Sequence, residues 1–216
     1  MATLLHLDSS AIPEGSASRE VTAAFRAEWQ AAHPGGAVIY RDLAADPVPH
    51  LDAHGITAAF VPAEHQTEEQ RRALALRHTL AEELESADAV LIGTPMYNFT
   101  IPSSLKAWLD QAIIVGRTGG EEGTVAGKPV TVVAARGGSY APGTPRQDYE
   151  FVTNYLEKVL TGMMGLRVDF IVPEMTLAPV KPELAQFIPL ADASRAKAHD
   201  DAKTRARELA GQLSAV

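Results

Sequence analysis

The chain has no cysteine among its 216 residues. That absence excludes disulfides, thiolate catalysis, C-x-x-C redox chemistry and cysteine-based zinc sites. Positive charge is also scarce: 19 Lys and Arg stand against 27 Asp and Glu, a formal net charge of −8. Nucleic acid is therefore not expected as a partner, because phosphate backbones are held by clustered Lys and Arg. No run approaches the ~20 apolar residues that span a bilayer, so no membrane partner is expected either. The apolar stretch Met1–Leu7 is short, lacks a basic lead and runs straight into Asp8. The expectation is thus no targeting segment and a cytoplasmic protein. A G-x-G-x-x-G is missing too, which leaves a Rossmann-type dinucleotide half unsupported.

What is present is an ordinary globular composition, 46% hydrophobic and 21% charged. It fits one domain over residues 1–216 with a sizeable core. Short apolar runs predict strands at Thr3–Leu7, Ala37–Tyr40, Ala89–Ile92 and Pro129–Ala135. Pro95, with no N–H for a ladder, is expected to stop the third. Alternating Leu166, Val168, Phe170 and Val172 predict a fifth strand, less buried on one side.

Between these runs the period is helical. Val21, Phe25 and Trp29 line one face of a helix over Ser16–His33. Thr67-Glu68-Glu69-Gln70 is a capping-box signature ahead of Leu76, Leu80 and Leu84. A third helix turns Leu105, Trp108, Leu109, Ala112 and Ile113 inward, a fourth covers Asp148–Met163, and a surface helix over Leu190–Leu213 closes the chain. Residues 42–66 form a long irregular connection of functional or interface type. Residues 116–127, with five glycines, are expected to be a flexible loop. Five βα units predict an α/β fold: a flavodoxin-like three-layer sandwich, its five-stranded parallel sheet in order 2-1-3-4-5 with helices on both faces.

Such sheets bind ligands beyond the carboxyl ends of their strands, where three loops meet. The first carries four serines, among them Ser10, Ser16 and Ser18, and runs into a helix whose dipole favours a phosphate. Simple capping by Ser16 or Ser18 is the alternative. The second, Pro95-Met96-Tyr97-Asn98-Phe99, offers Tyr97 and Phe99 to flank a ring and amides near Asn98 to reach its polar edge. Met96 and Phe99 as core plugs, with Asn98 a turn residue, is the other reading. The third, Arg136-Gly137-Gly138-Ser139-Tyr140, lets backbone approach a ligand, with Tyr140 as a shield, or is a plain glycine-rich turn. A phosphate, a ring and carbonyl edges together describe flavin mononucleotide.

Two other patterns carry less. His50 and His54 have helical metal spacing but follow Pro47 and Pro49 with no third ligand, so no metal is expected. Ser103-Ser104-Leu105-Lys106 fits S-x-x-K, yet K-T-G and S-D-N are absent. Glu121-Glu122 reads as a solvated charge pair.

Nearly end to end, the chain resembles the bacterial FMN-dependent NADH:azoreductases, which also reduce quinones. The resemblance rests on Ser10, Ser16-Ala17-Ser18, Arg41-Asp42-Leu43-Ala44, Pro95–Phe99 with Leu105-Lys106, and Arg136-Gly137-Gly138. It implies a homodimer with one FMN bound non-covalently per subunit near the interface. It also implies phosphate contacts from Ser10, Ser16, Ala17 and Ser18. The isoalloxazine would lie along Pro95, Met96, Tyr97, Asn98 and Phe99, and its pyrimidine edge at Ala135, Arg136, Gly137 and Gly138, flanked by Ser139 and Tyr140. NADH or NADPH would donate hydride in a ping-pong cycle to quinones or aromatic azo compounds, with no side chain as covalent catalyst. An electron carrier or a non-catalytic flavin-binding module is the alternative. Relatives carry Phe-x-Tyr-Thr-Glu-x-Gly-Pro where this chain has Arg117–Gly123, which implies a more open substrate pocket.

Overall fold

The computed structural model describes residues 2–120 and 122–214. Its strands are β1 (Thr3–Asp8), β2 (Ala37–Asp42), β3 (Ala89–Pro95), β4 (Pro129–Ala135) and β5 (Arg167–Ile171). All pair in parallel in the order β2-β1-β3-β4-β5, the expected doubly wound topology. The helices are α1 (Ala17–Ala32), α2 (Ala53–Thr57), α3 (Glu68–Ser86), α4 (Ser103–Ala112), α5 (Thr153–Glu157) and α6 (Ile188–Ser214).

Both faces of the sheet are covered. On one, Leu4, Leu91 and Val133 pack against Val21, Phe25 and Trp29 of α1 and Ala202, Ala206 and Leu209 of α6. The closing helix therefore has a buried face, built from small residues that let it approach α1. On the other, Leu5, Leu7, Ile92 and Val132 meet Leu80, Leu84, Leu105, Trp108 and Leu156 from α3, α4 and α5. Truncating one such leucine to Ala costs about 2–5 kcal/mol. The capping box of α3 is made in both directions, Gln70 N–H to Thr67 Oγ1 at 3.2 Å and Thr67 N–H to Gln70 Oε1 at 3.0 Å. At its other end Lys128 Nζ donates to the carbonyls of Leu84 and Glu85 at 2.6 and 3.0 Å, closing off acceptors the helix leaves open.

Several expected boundaries move. The third strand continues through Pro95, because Met96 N–H donates to Ala135 O at 2.7 Å and carries the ladder past the proline. The helix expected from Asp148 starts at Thr153. Glu150 interrupts it: its carboxylate accepts the N–H groups of Val152 and Thr153, both at 3.0 Å, and opens a new helix start. The second half of that helix, Lys158–Met163, widens to a π-helix. In the 42–66 connection, α2 is pinned by buried Arg77, which donates to the carbonyls of Gly55, Gln111 and Ile113, and the first 3-10 turn is held by Gln66 Nε2 on the carbonyls of Ala58 and Val61. The glycine-rich 116–127 loop is tied down rather than loose. Thr118 Oγ1 donates to Ala112 O at 2.6 Å and Arg117 makes a bidentate pair with Glu85. Glu121, half of the expected charge pair, lies outside the described residues.

Candidate functional site

The ends of β1, β3 and β4 bring the three loops together. In the first, Ser9 N–H and Oγ both donate to Gly93 O at 2.9 Å, tying the end of β1 to β3. Ser16 is the N-cap of α1 in extended conformation, yet its side chain makes no capping hydrogen bond. Its hydroxyl pairs with that of Ser18 at 3.2 Å. Capping is thus not what these serines do. The N–H groups of Ala17, Ser18 and Arg19, in the first turn of α1, have no partner among the described residues. Buried Ser10 accepts Ile12 N–H at 3.3 Å and shapes the loop.

Beneath this loop lies a buried polar cluster that periodicity missed. Asp8 accepts the hydroxyls of Thr22 at 3.0 Å and Tyr40 at 3.1 Å, and His6 Nε2 stands 3.3 Å away. Arg19 reaches Asp42 with both terminal nitrogens, at 2.7 and 2.8 Å, and donates to Ser10 O at 2.7 Å. The hydrogen bond to Arg19 holds the Asp42 carboxyl below its usual range, while burial raises the Tyr40 phenol. A signal existed: His6 and Asp8 alternate in an otherwise apolar strand, opposite Tyr40 and Asp42 in register.

The second loop is a tight hairpin. Tyr97 and Thr100 exchange backbone hydrogen bonds at 2.8 and 3.0 Å around Asn98 and Phe99, whose φ values are +48° and +70°. Two consecutive left-handed residues are what a two-residue type I′ turn requires, and for non-glycine residues that backbone is strained. The N–H groups of Asn98 and Phe99 have no partner among the described residues. Tyr97 OH accepts Ala11 N–H at 3.2 Å, a strut between the first two loops.

The third loop is buttressed from behind. Arg136, Gly137 and Gly138 carbonyls accept N–H groups of Thr176, Leu177 and Met175 at 3.2–3.3 Å. Gly137 packs closely on its neighbour: a Cβ there would fall 2.5 Å from Leu177 Cδ1, so any larger residue has to push that side chain aside. The N–H groups of Gly137 and Gly138 have no partner among the described residues. The Arg136 guanidinium is committed to Glu174 at 3.0 Å and Glu150 at 3.8 Å, so it braces the loop. Glu174 also accepts Tyr140 N–H at 3.0 Å and Ser139 Oγ at 3.3 Å.

A cleft of about 760 Å³ unites Met96, Asn98, Phe99, Gly137, Gly138, Ser139 and Tyr140. Its size is that of ordinary ligand pockets. Phe99 stands 5.1 Å from Tyr149 and 6.3 Å from Tyr140, ring centre to ring centre. The outer wall, Met175, Leu177, Leu184, Phe187 and Leu190, comes from the segment after β5 and was not foreseen. Tyr97 faces elsewhere, lining a neighbouring cleft of about 440 Å³ with Ser103, Lys106 and Tyr155, while Asn98 lines both. Ser10, Ser16 and Ser18 lie outside the large cleft, and Ala17 lines a smaller one of about 180 Å³. Pro95 and Ala135 are register partners at the ends of β3 and β4.

The other patterns resolve. Lys106 pairs with Asp110 at 2.6 Å, and that hydrogen bond raises its pKa and favours the charged ammonium. Among the described residues no group of three or more His, Asp or Glu is arranged for a metal, and no helix is long and apolar enough to cross a membrane.

A doubly wound sheet with ligand-ready loops at its first, third and fourth strand ends defines the class. The profile of the family described as "Flavodoxin-like fold" matches residues 2–204. The chain is 56% identical over 216 residues to a Streptomyces coelicolor protein named FMN-dependent NADH:quinone oxidoreductase, covering 100% of this chain and 98% of that one. It is 57% identical over 217 residues to a Streptomyces avermitilis protein of the same name, covering 100% of both. The structure of an azoreductase from Bacillus anthracis superposes with a TM-score of 0.82 at 26% identity, over 96% of this chain and 100% of that one. The chain belongs to this flavodoxin-like family, with the FMN-dependent NADH:quinone oxidoreductases.

Proposed function

We propose that this protein is an FMN-dependent NADH:quinone oxidoreductase. The observation that carries the reading is the set of N–H groups, on three loops at one end of the sheet, that have no partner among the described residues. The Ala17 and Ser18 amides, with the hydroxyls of Ser10, Ser16 and Ser18, hold the phosphate monoester at the positive end of α1. Met96, Asn98 and Phe99 on one side and Gly137, Gly138, Ser139 and Tyr140 on the other hold the ring. Pro95 and Ala135 set the spacing between those loops, Tyr97 straps the phosphate loop, and Arg136 braces the glycines. The close packing of Gly137 on Leu177 supports this fit, since it leaves bare backbone facing the cleft.

Bound there, non-covalently and once per subunit, FMN would supply the redox chemistry that couples oxidation of NADH to reduction of an acceptor, in the ping-pong order this reading expects. The chain's own groups bind, orient and exclude water. Oriented donors at Asn98, Gly137 and Gly138 favour negative charge on the ring they hold. No side chain forms a covalent bond to substrate. The aromatic wall of Phe99 and Tyr140, with Tyr149 packed against Phe99, suits flat acceptors, quinones first and aromatic azo compounds second.

The working form is a homodimer in the cytoplasm. Phe60 and Ile56, 83% and 51% exposed on the 42–66 connection, support burial against a second copy. The test is NADH absorbance with purified protein, FMN and a quinone. Quinone-dependent oxidation is the expected result. None with either NADH or NADPH leaves an electron carrier or a binding module.

A further inference from the structure

Nearly every cation in this chain has a partner. Of the 19 Lys and Arg, only Arg146, Lys158, Lys181 and Lys203 lack a side-chain hydrogen bond, ion pair or ring contact among the described residues. Two of them, Arg146 and Lys181, line the 760 Å³ cleft. Their backbones are fixed: Arg146 O accepts Tyr149 N–H at 3.0 Å and Lys181 N–H donates to Leu177 O at 2.9 Å. Both side chains are exposed, and among the described residues Glu183 is the one carboxylate that lines the same cleft. In a chain of net charge −8 this lip is a local reversal of sign, and such reversals draw anions.

The inner part of that cleft is apolar and walled by Met96, Phe99 and Tyr140. Its ligand therefore has a flat apolar end and an anionic middle, as a reduced pyridine dinucleotide does. The chain has no G-x-G-x-x-G to take a diphosphate, and the start of α1 is assigned to the FMN phosphate. We propose that Arg146 and Lys181, at the lip, hold the diphosphate of the reduced dinucleotide, with its nicotinamide reaching inward to the flavin ring that Met96 and Phe99 hold. This rests on the oxidoreductase reading and adds the donor's recognition site.

The test uses FMN-loaded protein, comparing wild type with Arg146→Glu/Lys181→Glu and with the milder Arg146→Gln/Lys181→Gln. Calorimetric titration with ADP-ribose, the diphosphate-bearing part of the donor, reads binding without turnover. Its affinity is expected to fall about tenfold or more in the reversed pair and less in the neutral pair, with a shallower salt dependence. The preference for NADH over a dihydronicotinamide lacking phosphates is expected to fall by the same factor. Unchanged ADP-ribose binding and preference would overturn the assignment. So would a loss confined to a sulfonated azo acceptor, or a loss of bound FMN in the visible spectrum. Wild type that fails to oxidise NADH with a quinone sinks the enzyme reading; active wild type with indifferent variants sinks this site alone.

Discussion

Gly93 of β3 and Asp8 of β1 are register partners, and a methyl group on Gly93 would lie 2.3 Å from Asp8 Oδ1. Asp8 in turn fixes Thr22 and Tyr40, and Gly93 O anchors Ser9 at the mouth of the loop after β1. Gly93→Ala therefore forces a buried carboxylate off its donors. Denaturant titration should show a loss of about 1–3 kcal/mol, with weaker FMN retention beyond the stability loss.

Arg19 links Asp42 to the Ser10 carbonyl, and its side chain is only 13% exposed. Arg19→Gln leaves Asp42 without its main partner and frees the loop. The expected outcome is a loss of about 1.5–3 kcal/mol by urea titration, the scale of hydrogen bonds to charged groups. A several-fold weaker FMN affinity, read by flavin fluorescence quenching, should accompany it.

Asn98 sits at φ +48°, a conformation glycine adopts freely and a β-branched residue resists. Asn98→Gly should match wild-type stability to within about 1 kcal/mol, whereas Asn98→Val should lose about 1–3 kcal/mol. FMN binding in the valine variant should fall further than its stability does, because the turn's N–H groups move.

The Arg117 guanidinium, by hydrogen bonding, lowers Glu85 from 4.5 to about 2. Between those values the unfolded chain binds the proton and the folded chain does not. Stability from this pair is thus present above pH 4.5 and lost as pH falls toward about 2. Glu85→Gln should flatten the fall in urea midpoint across that window, leaving the neutral-pH fold intact.

The sheet was legible because its central strands are continuous apolar runs, buried on both faces, and four of its strands begin where periodicity put them. The missed break at Glu150 is a side chain accepting two backbone N–H groups, which no apolar period encodes. The π-helical turn at Lys158–Met163 is equally silent, since its apolar positions fit an α-helix as well. The sequence places the three loops at the strand ends but does not encode where their side chains point. Tyr97 and Phe99, two apart in a hairpin, face different clefts, and Arg136 turns to Glu174 and Glu150. The outer wall at Met175, Leu177, Leu184 and Phe187 lies 37 to 50 residues along the chain from the glycines it covers, and only tertiary packing joins them.

In the reading proposed above, the start of α1 holds the phosphate of FMN. Riboflavin, which lacks that phosphate, gives the cleanest comparison, titrated with FMN into the apoprotein and into Ser16→Glu/Ser18→Glu. Two carboxylates among the free amides of α1 repel a phosphate and do nothing to a neutral ring. FMN affinity is predicted to fall about a hundredfold or more while riboflavin affinity holds. Equal losses for the two flavins, or an unchanged affinity for FMN, would contradict it.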